Sequence, residues 1–530
     1  MIKLSDALTD PTIYPWEPET VQRIDTHLSH VYLAGDRVLK IKRAVDYGFV
    51  DFRLLEARRQ SCEDEYRLNR RLTSGVYLGV VPITEENGSF RVDGSGDIVE
   101  WGTVMRRLPA GGMLDERIRQ GDVPADLGPR LGKRLATFHA SIANTCGQSP
   151  GPYSDTSTAV VLDNLDELAP FGGPILDGDQ LAMVDESLRG FVAGQRTLLD
   201  QRVADGWVRE GHGDLRAEHI CLESNGEIQI FDCVEFSQEI RCADVVSDLA
   251  FLLMDLHRLS RPDLARDVSR AYREAGISLP EDLVQFYSAH RALVRAKVAC
   301  LSMAGASEES ATRYWASASE YLNLATAAAV EPLPALIAMT GLSGTGKSTV
   351  ARSVGQALGV RVLASDVTRK QLAGVDGSAA AKWQSGIYGP DWTEKTYARL
   401  LDDAEAEIRA GEAVVVDATF LDERWRTEFA RRGQDFGSPV LFVQVTCDPN
   451  VVARRIQARA ANGGNVSDAS LETFREQSRM IAGEPIRFPD GSHQVSVDTS
   501  ADSPVRVGAV LEKLRNIRAL IPAIRFESDQ

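Results

Sequence analysis

The chain has 530 residues, of which 43% are hydrophobic and 25% charged, a composition that excludes disordered and fibrous classes. One hydrophobic core does not organise so long a chain, so two or three domains are expected. The formal net charge of −17 argues against nonspecific nucleic-acid binding, because phosphate backbones attract basic surfaces. No apolar run reaches the roughly 20 residues that cross a bilayer, and no signal-peptide core is present, so we expect a cytoplasmic protein without membrane attachment.

The cysteines form no C-x-x-C pair and show no metal-ligand spacing. They are Cys62, Cys146, Cys221, Cys233, Cys242, Cys300 and Cys447. Structural disulfides are rare in cytosolic proteins. The sequence therefore predicts reduced and mostly buried thiols, with no cysteine metal site.

The first 330 residues change from a mixed pattern to a helical one. A hairpin, a helix and a further strand are predicted before residue 110, over His30–Ala34, Val38–Lys42, Ser61–Leu72 and Thr103–Leu108. From about residue 125 to 328 the pattern is mainly helical, interrupted by a strand-and-turn region at Glu210–Phe236. A small mixed lobe followed by a larger helical lobe is therefore expected.

Two candidate catalytic carboxylates lie in the strand-and-turn region Glu210–Phe236. His212–His219 reads HGDLRAEH, and the strand-like run IQIFDCVEF that begins at Ile228 contains Asp232. A phosphotransferase needs one carboxylate near the acceptor hydroxyl and another on the metal that the triphosphate carries. Asp214 suits the first role and Asp232 the second. Two ordinary turn carboxylates on the surface are the alternative.

These residues resemble the catalytic segment of the aminoglycoside and choline phosphotransferase family, whose members share the protein-kinase fold. His212–Asp214 matches the start of its catalytic-loop motif, H-G-D-x-x-x-x-N, and Asp232 matches its metal-binding aspartate. The resemblance covers about residues 20–328. It implies an α+β bilobal fold, with a small lobe over about 20–110 and a large lobe over about 111–328.

The same resemblance implies an ATP site in the small lobe. Lys40 in VLKIK would hold the α and β phosphates, with Lys42 as an alternative on the same strand face. Glu65 is the expected carboxylate partner of this lysine, ahead of Glu56. The strand segment Val104–Leu108 would receive the adenine.

One position departs from the family motif. The family has asparagine five residues after the catalytic aspartate, where this chain has His219. Mg²⁺ prefers oxygen ligands, so His219 is either a poor metal ligand or a hydrogen-bond partner of Asp214 or the substrate. Arg216 lies where protein kinases place a cation near the transferred phosphate. An inactive scaffold that keeps the kinase fold is the alternative.

A domain boundary is predicted at Val330–Pro334 (VEPLP), where two prolines end an alanine-rich helical stretch. The predicted domains are residues 1–330 and 331–530. Beyond the boundary strands alternate with helices, and the predicted strands are Ala335–Thr340, Arg361–Ala364, Ala413–Val416 and Val440–Thr446. The alternation implies an α/β fold, with a parallel sheet covered by helices and ligands at the carboxyl ends of its strands.

The first of these strands leads into GLSGTGKST, which fits the phosphate-loop pattern G-x-x-x-x-G-K-[ST]. Glycines let the backbone fold around phosphates, and the N-terminus of the following helix attracts anions. Lys347 can reach the outer phosphates of ATP, and Ser348 can hold Mg²⁺. The candidate ATP-binding residues are Gly341, Ser343, Gly344, Thr345, Gly346, Lys347, Ser348 and Thr349. A chance glycine-rich turn is the alternative.

Polar residues follow two further strands of this segment. Asp366 can accept the proton of an acceptor hydroxyl, although it could serve only as a helix N-cap. Arg369 would bind the phosphate of the acceptor or product. Asp417 stands where contact with Mg²⁺ and its water is expected.

This half resembles the small P-loop kinases of the polynucleotide kinase, zeta toxin, chloramphenicol phosphotransferase and gluconate kinase group. The resemblance implies a mobile lid with arginines that stabilise the transferred phosphoryl group. Arg455 and Arg459 are the candidates, and a charged helix face is the alternative. Members of the group act on different acceptors, so the acceptor is left open.

The sequence thus predicts two fused kinase-like domains that use ATP and Mg²⁺ to phosphorylate a hydroxyl of a small molecule, a sugar or an aminoglycoside-like compound. Three alternatives remain open. In the first, the C-terminal domain alone is catalytic and the N-terminal domain is a sensor. In the second, the protein phosphorylates 5′-hydroxyl ends of nucleic acid. In the third, nucleotide hydrolysis drives an interaction switch. The oligomeric state is left open.

Overall fold

The computed structural model describes residues 4–48, 50–142, 146, 153–330, 334–374, 389–461, 471–480, 486–500 and 507–520, without the side chains of 153–157, 458–461 and 518–520. The chain divides into two compact units. One comprises Met1–Asp163 and Val192–Arg291, and the other comprises Asn164–Phe191 and Ala292–Gln530. Within the described residues, none of the helices combines the length and apolarity that a membrane crossing needs.

The small lobe of the first unit comprises a six-stranded sheet and two helices. Its elements are α1 (Leu4–Ala7), β1 (Val21–Asp25), β2 (Ser29–Ala34), β3 (Arg37–Lys42), α2 (Leu55–Asn69), β4 (Tyr77–Glu86), β5 (Ser89–Val92) and β6 (Asp97–Arg106). The strand order is β1-β2-β3-β6-β4-β5, and every recorded pairing between these strands is antiparallel. Alternating side chains such as Leu39 and Ile41 fill the core, which leaves Lys40 on the opposite face of β3.

The segment from residue 111 to 330 is mainly helical. Its elements are α3 (Leu114–Gln120), α4 (Leu127–Ser141), α5 (Tyr153–Leu168), α6 (Gly178–Gly194), α7 (Arg196–Ala204), β7 (Val208–Glu210), β8 (Ile220–Leu222), β9 (Ile228–Ile230), α8 (Gln238–Arg241), β10 (Cys242–Asp244), α9 (Val245–Arg258), α10 (Pro262–Glu274), α11 (Glu281–Ser302) and α12 (Glu308–Val330). Two short antiparallel pairs, β7 with β10 and β8 with β9, lie around the predicted catalytic loop.

The C-terminal segment contains a five-stranded parallel sheet. Its elements are β11 (Leu336–Thr340), α13 (Lys347–Leu358), β12 (Arg361–Ala364), α14 (Ser365–Ala373), α15 (Pro390–Arg409), β13 (Val414–Asp417), α16 (Glu423–Asp435), β14 (Val440–Thr446), α17 (Pro449–Ala461), α18 (Leu471–Met480), β15 (His493–Asp498) and α19 (Gly508–Leu520). The strand order is β12-β13-β11-β14-β15. Successive residues of β11 enter separate cores on the two faces of the sheet, which is why the strand reads as a continuous apolar run.

The predicted architecture is confirmed: an α+β segment with a small sheet lobe and a larger helical lobe precedes an α/β segment with a parallel sheet. Helix α2 begins at Leu55, before the predicted start at Ser61, and β15 was not predicted. The compact units divide the chain elsewhere than at residue 330, because Met183 of α6 and Val330 of α12 share the core of the C-terminal sheet. The boundary between the two kinase-like segments stays a prediction.

The prediction of reduced thiols is wrong for two cysteines. Cys146 and Cys242 form a disulfide between the segment after α4 and the start of β10. The two residues are separated by 96 positions, so only the tertiary fold brings them together. The other cysteines are free, and all except Cys447 are buried.

Candidate active sites

A partly buried ion-pair network lies where the small-lobe ATP site is predicted, with Glu65 fully buried and the Asp232 side chain 42% exposed. The Nζ atom of Lys40 lies 2.7 Å from Oε1 of Glu65 on α2 and 2.8 Å from Oδ1 of Asp232. Burial would lower the pKa of Lys40, but Asp232 and Glu65 raise it well above its ordinary value. Burial would raise the pKa of Asp232, but Lys40 and His219 hold it below its ordinary range. The lysine and both carboxylates therefore remain charged at neutral pH.

The alternative lysine, Lys42, extends this network. Its Nζ atom lies 2.9 Å from the second carboxylate oxygen of Glu65 and 2.6 Å from Oε1 of Glu235. Glu65 is thus the common partner of both lysines, whereas Glu56 is an exposed residue that pairs with Arg59. The predicted choice of Glu65 over Glu56 agrees with these contacts. Glu235 was not among the predicted residues, although it follows Asp232 in the same FDCVEF segment.

The predicted catalytic loop is held by its neighbours. The carboxylate of Asp248 accepts hydrogen bonds from the backbone amides of His212 and Gly213, the latter at 2.8 Å. Burial lowers the pKa of His212 to about 4, so its imidazole is neutral at neutral pH. One ring nitrogen then donates a hydrogen bond and the other accepts one within the protein, which is a structural role. Asp232 has a left-handed backbone (φ 62°), a conformation that is uncommon for non-glycine residues. The carboxylates at both ends of the segment are therefore placed by the surrounding structure.

The carboxylate of Asp214 is engaged by an arginine. Arg216, which is 6% exposed, donates two hydrogen bonds to it, from Nε at 2.8 Å and from Nη2 at 2.9 Å. Arg216 also pairs with Glu218. A two-bond arginine–carboxylate pair fixes the orientation of the carboxylate.

His219, the departure from the family motif, lies between the two aspartates. Its Nδ1 atom is 2.8 Å from the backbone oxygen of Asp214, and its Nε2 atom is 3.6 Å from Oδ2 of Asp232. The first contact requires a proton on Nδ1, which leaves Nε2 as an acceptor when the ring is neutral. His219 thus hydrogen-bonds the backbone of Asp214, and its role toward the metal or the substrate stays a prediction. No group of three or more metal-ligating His, Cys, Asp or Glu side chains occurs in the described part of the chain.

The C-terminal site is built on the loop between β11 and α13. Gly341 has a φ of 137°, and a Cβ atom there would lie 2.4 Å from the backbone oxygen of Val445 on the neighbouring strand. Gly346 is the N-cap of α13 with a φ of 93°. The first amides of an α-helix have no partner inside the helix and attract anions. The loop therefore forms a tight, amide-rich turn that only glycine permits at these positions.

Lys347 begins α13 and is almost fully buried, at 8% exposure. Its Nζ atom donates a hydrogen bond to the backbone oxygen of Leu342, 2.6 Å away. Burial lowers the pKa of Lys347 to about 8, against the opposing charges of Asp417 and Asp366. Asp417 ends β13 and is buried, and Asp366 lies in the first turn of α14. The fold thus brings one amine and two carboxylates to the carboxyl edge of the sheet.

The structure distinguishes among the remaining candidates. Asp366 is not a helix N-cap, because Ala364 holds that position. Arg369 is buried, and its Nη1 atom donates to Oγ1 of Thr393 at 3.3 Å. Ser348 is exposed at the start of α13. Ser343, Gly344, Thr345 and Thr349 lie in the loop and the first turn of that helix.

The two lid candidates have different outcomes. Arg455 donates to the backbone oxygen of Thr499 at 2.7 Å and to its Oγ1 atom at 3.3 Å, so it also serves to hold the end of β15. Its role as a lid residue stays a prediction. The side chain of Arg459 lies outside the described residues.

Two residues that contact the phosphate loop were missed by the sequence analysis. Oε1 of Gln477 on α18 accepts a hydrogen bond from the amide of Ser343 at 2.8 Å. Thr499 donates to the backbone oxygen of Thr345 at 2.6 Å. Neither belongs to the nine-residue motif, and no local spacing connects them to it. Only the three-dimensional fold reveals them.

Comparisons with known proteins identify a family model for the C-terminal segment and relatives that span most of the chain. Residues 336–483 match a protein-family model described as an AAA domain. The Mycobacterium tuberculosis (strain H37Rv) protein called uncharacterized protein Rv2004c is 33% identical over 452 residues, which are 84% of this chain and 87% of the relative. The Mycobacterium bovis protein called uncharacterized protein Mb2027c has the same identity and coverage.

Two solved structures are similar to different parts of the chain. A choline/ethanolamine kinase family protein from Mesorhizobium loti is 16% identical and covers 61% of this chain and 98% of its own, with a TM-score of 0.36. A gluconokinase from Sinorhizobium meliloti 1021 is 21% identical and covers 35% of this chain and 96% of its own, with a TM-score of 0.25.

Proposed function

The chain belongs to the same protein family as the mycobacterial relatives, and we propose that it is an ATP-dependent phosphotransferase that moves the γ-phosphate to a hydroxyl group of a small molecule. The acceptor is a sugar or an aminoglycoside-like compound, and each kinase-like segment binds ATP. The observation that carries the proposal is Lys347, a buried amine at the start of α13 beneath a loop that only glycines permit. A bound phosphate would supply this buried amine with a counter-charge.

The residues of the C-terminal site fit ATP and Mg²⁺. A Cβ atom at Gly341 would clash with the backbone oxygen of Val445, so only glycine allows the loop to turn here. The desolvated Lys347 would gain a counter-charge from bound phosphates. The hydroxyl of Ser348 and the carboxylate of Asp417 supply oxygen ligands, which Mg²⁺ prefers. The ion, when bound, neutralises charge on the β and γ phosphates.

The same site supplies the groups for transfer. The acceptor oxygen forms a bond to the γ phosphorus, the bond between that phosphorus and the β–γ bridging oxygen breaks, and ADP leaves. Asp366 receives the proton of the acceptor hydroxyl, because it lies in the first turn of α14 beside Lys347. Lys347 and Arg369 stabilise the charge on the phosphate oxygens.

The N-terminal segment offers a second set of groups. Lys40 would bind the α and β phosphates while Glu65 holds it, and Asp232 would be the Mg²⁺ ligand. Asp214 would receive the proton of the acceptor. Arg216 orients the Asp214 carboxylate and brings a positive charge close to it.

A second candidate function is favoured by the same contacts. The Asp214 carboxylate is already paired with Arg216. His219 occupies the position at which the aminoglycoside and choline phosphotransferase family has a metal-ligating asparagine. An N-terminal segment that binds Mg-ATP but does not turn it over would then act as a sensor for a catalytic C-terminal segment. The two functions differ in whether transfer depends on Asp214.

A phosphate-transfer screen tests the proposal. The full-length protein is incubated with γ-labelled ATP and Mg²⁺ and with sugars, aminoglycosides, nucleosides and 5′-hydroxyl oligonucleotides. We expect label on a small hydroxylated acceptor and none on the oligonucleotides. Label on oligonucleotides alone, or hydrolysis that no acceptor stimulates, would contradict the proposal.

Nucleotide binding at the C-terminal site is expected to weaken as the pH rises above about 8. The pKa of Lys347 is about 8 in the free protein, and bound phosphates raise it, so binding takes up a proton above that pH. The Kd for a non-hydrolysable ATP analogue should rise by up to about tenfold per pH unit above pH 8. Titration calorimetry in two buffers of different ionisation enthalpy measures the uptake. Lys347→Met should abolish this pH dependence, and a Kd that is constant from pH 7 to 9.5 would refute it.

His219→Asn is expected to increase Mg²⁺-dependent turnover at the N-terminal site severalfold. The substitution replaces an imidazole that is bonded to the Asp214 backbone with an amide that offers Mg²⁺ an oxygen. Turnover is measured in a Lys347→Met background, so that the C-terminal site is silent. His27→Asn changes an exposed histidine and serves as the control. A loss of turnover would mean that His219 is required.

A further inference from the structure

One face of α4 consists of hydrogen-bond donors. Arg130, Arg134, Thr137 and Ser141 recur at helical spacing and lie on one side of the helix, with Lys133 beside them. The opposite side carries apolar residues such as Leu131, which are fully buried. This donor face is unusual in a chain with a formal net charge of −17, in which carboxylates outnumber cations.

The donor face lines two neighbouring cavities in the first unit. The larger, of about 440 Å³, is lined by Arg71, Leu72, Arg130, Lys133, Arg134, Thr137, Phe138 and Ser141. The smaller, of about 290 Å³, is lined by Ser74, Arg130, Arg134, Gly226, Glu227, Ile228 and Gln229. Arg130 and Arg134 line both cavities. The larger cavity contains four cationic side chains and no carboxylate in its wall.

The charges of this wall are only partly compensated. Asp126 lies 3.5 Å from Arg130, and Glu210 lies 3.6 Å from Arg71. Arg134 donates to the backbone oxygen of Leu72 at 2.7 Å, while its buried Nε atom has no hydrogen-bond partner among the described residues. Partial burial desolvates the Arg134 guanidinium and lowers its pKa, so an anion bound in the cavity would compensate a charge that water solvates poorly.

The cavity wall is connected to the N-terminal catalytic segment. Arg71 donates to the backbone oxygens of Glu210 and Gly211, at 2.7 and 2.9 Å, immediately before the HGD sequence. Its Nη2 atom also lies 3.5 Å from Sγ of Cys233, the residue after Asp232. Its guanidinium carbon lies 5.3 Å from the ring centre of Phe138, another residue of the wall. One side chain therefore contacts the cavity and both carboxylate-bearing loops.

From these observations we infer a binding site for a small phosphate-bearing molecule in the cavity between α4 and the end of α2. Guanidinium groups match the geometry of phosphate oxygens, and the exposed Lys133 adds an ammonium group. The hydroxyls of Thr137 and Ser141 border the cavity and donate to the backbone oxygens of Lys133 and Phe138. The ligand would be an effector, since it occupies neither the Lys40 nor the Lys347 site. Its binding would stabilise the arrangement of Arg71 and the loop at Glu210–Gly211.

Pyrophosphate and inorganic phosphate are the probes for this site, and citrate is the carboxylate control. Calorimetry on the full-length protein measures affinity, and hydrogen–deuterium exchange locates the binding. We expect pyrophosphate to protect residues 71–74, 130–141 and 210–214. The Arg130→Gln/Arg134→Gln double variant should bind at least about tenfold more weakly. Lys133→Gln, a change at an exposed position that leaves the fold intact, should also weaken binding.

Two further variants make the result specific. Arg270→Gln removes an exposed arginine that pairs with Asp267 on α10, and it should bind pyrophosphate as the wild type does. Lys347→Met removes the cation of the phosphate loop and should retain the protection of residues 130–141. The inference is overturned if the double variant and Lys133→Gln bind with wild-type affinity. Binding of citrate alone, or protection confined to residues 341–349, also overturns it.

Discussion

Lys347→Met is expected to lower kcat for transfer at the C-terminal site by roughly 10²- to 10³-fold, the range found when a donor to a developing anion is removed. The amine is the only lysine of the phosphate-loop motif, and it reaches over the loop to the oxygen of Leu342. Methionine has a similar length and is apolar, so it fills the same space without the charge.

The same variant should be more resistant to unfolding than the wild type. Burial lowers the pKa of Lys347 from 10.5 to about 8, so the folded protein holds the charge at a cost of about 3 kcal/mol at neutral pH. An uncharged side chain avoids this cost and loses one hydrogen bond, worth about 1 kcal/mol. Activity and stability are therefore expected to change in opposite directions, as is common for charged groups in active sites.

Steady-state kinetics and thermal unfolding of the same preparations measure both effects. Lys513→Met on α19 makes the same chemical change outside the phosphate loop and should leave kcat unaltered. Full transfer activity in Lys347→Met, for every acceptor that the wild type phosphorylates, would show that the phosphate loop is not the site of C-terminal chemistry. A fall in activity together with a lower unfolding temperature would instead indicate a structural role.

The phosphate loop was predictable from sequence because its geometry depends on residues that are adjacent in the chain. Gly341, Gly346 and Lys347 act through local backbone conformation and the start of one helix. Gln477 and Thr499 reach the same loop from distant segments, through hydrogen bonds that no pattern in the motif encodes. The parallel strands were predicted from their apolar runs, whereas β15 was missed because its alternating HQVSVD pattern is half exposed.

The N-terminal site shows a similar division. The pairing of Lys40 with Glu65 was predicted because the resemblance fixes the order of a strand lysine and a helix carboxylate, and the structure contains it. The shared use of Glu65 by Lys42 and the contribution of Glu235 were not predicted, since they depend on how β3 faces the loop after Asp232. The Cys146–Cys242 disulfide lay beyond prediction for the same reason: both cysteines are placed by tertiary packing.

Asp214→Asn is expected to lower kcat at the N-terminal site by roughly 10²- to 10⁴-fold, the usual contribution of a positioned general base. Asparagine keeps the size of the side chain and one acceptor oxygen for Arg216, so the guanidinium retains a partner. It cannot take a proton from the acceptor hydroxyl. The loss should therefore appear in kcat, with little change in the KM for ATP, because the phosphates are assigned to Lys40 and Asp232.

The measurement requires a silent C-terminal site, so it is made in the Lys347→Met background with each acceptor from the transfer screen. Asp263→Asn removes an exposed carboxylate that pairs with Arg261 and should have no effect on kcat. One outcome is that the Lys347→Met protein transfers no phosphate even with Asp214 intact. If it still binds Mg-ATP, and Lys40→Met raises the Kd of that binding, the N-terminal segment is a sensor. Unaltered transfer after Asp214→Asn would remove Asp214 from the mechanism, because an asparagine amide cannot accept the proton of the acceptor hydroxyl.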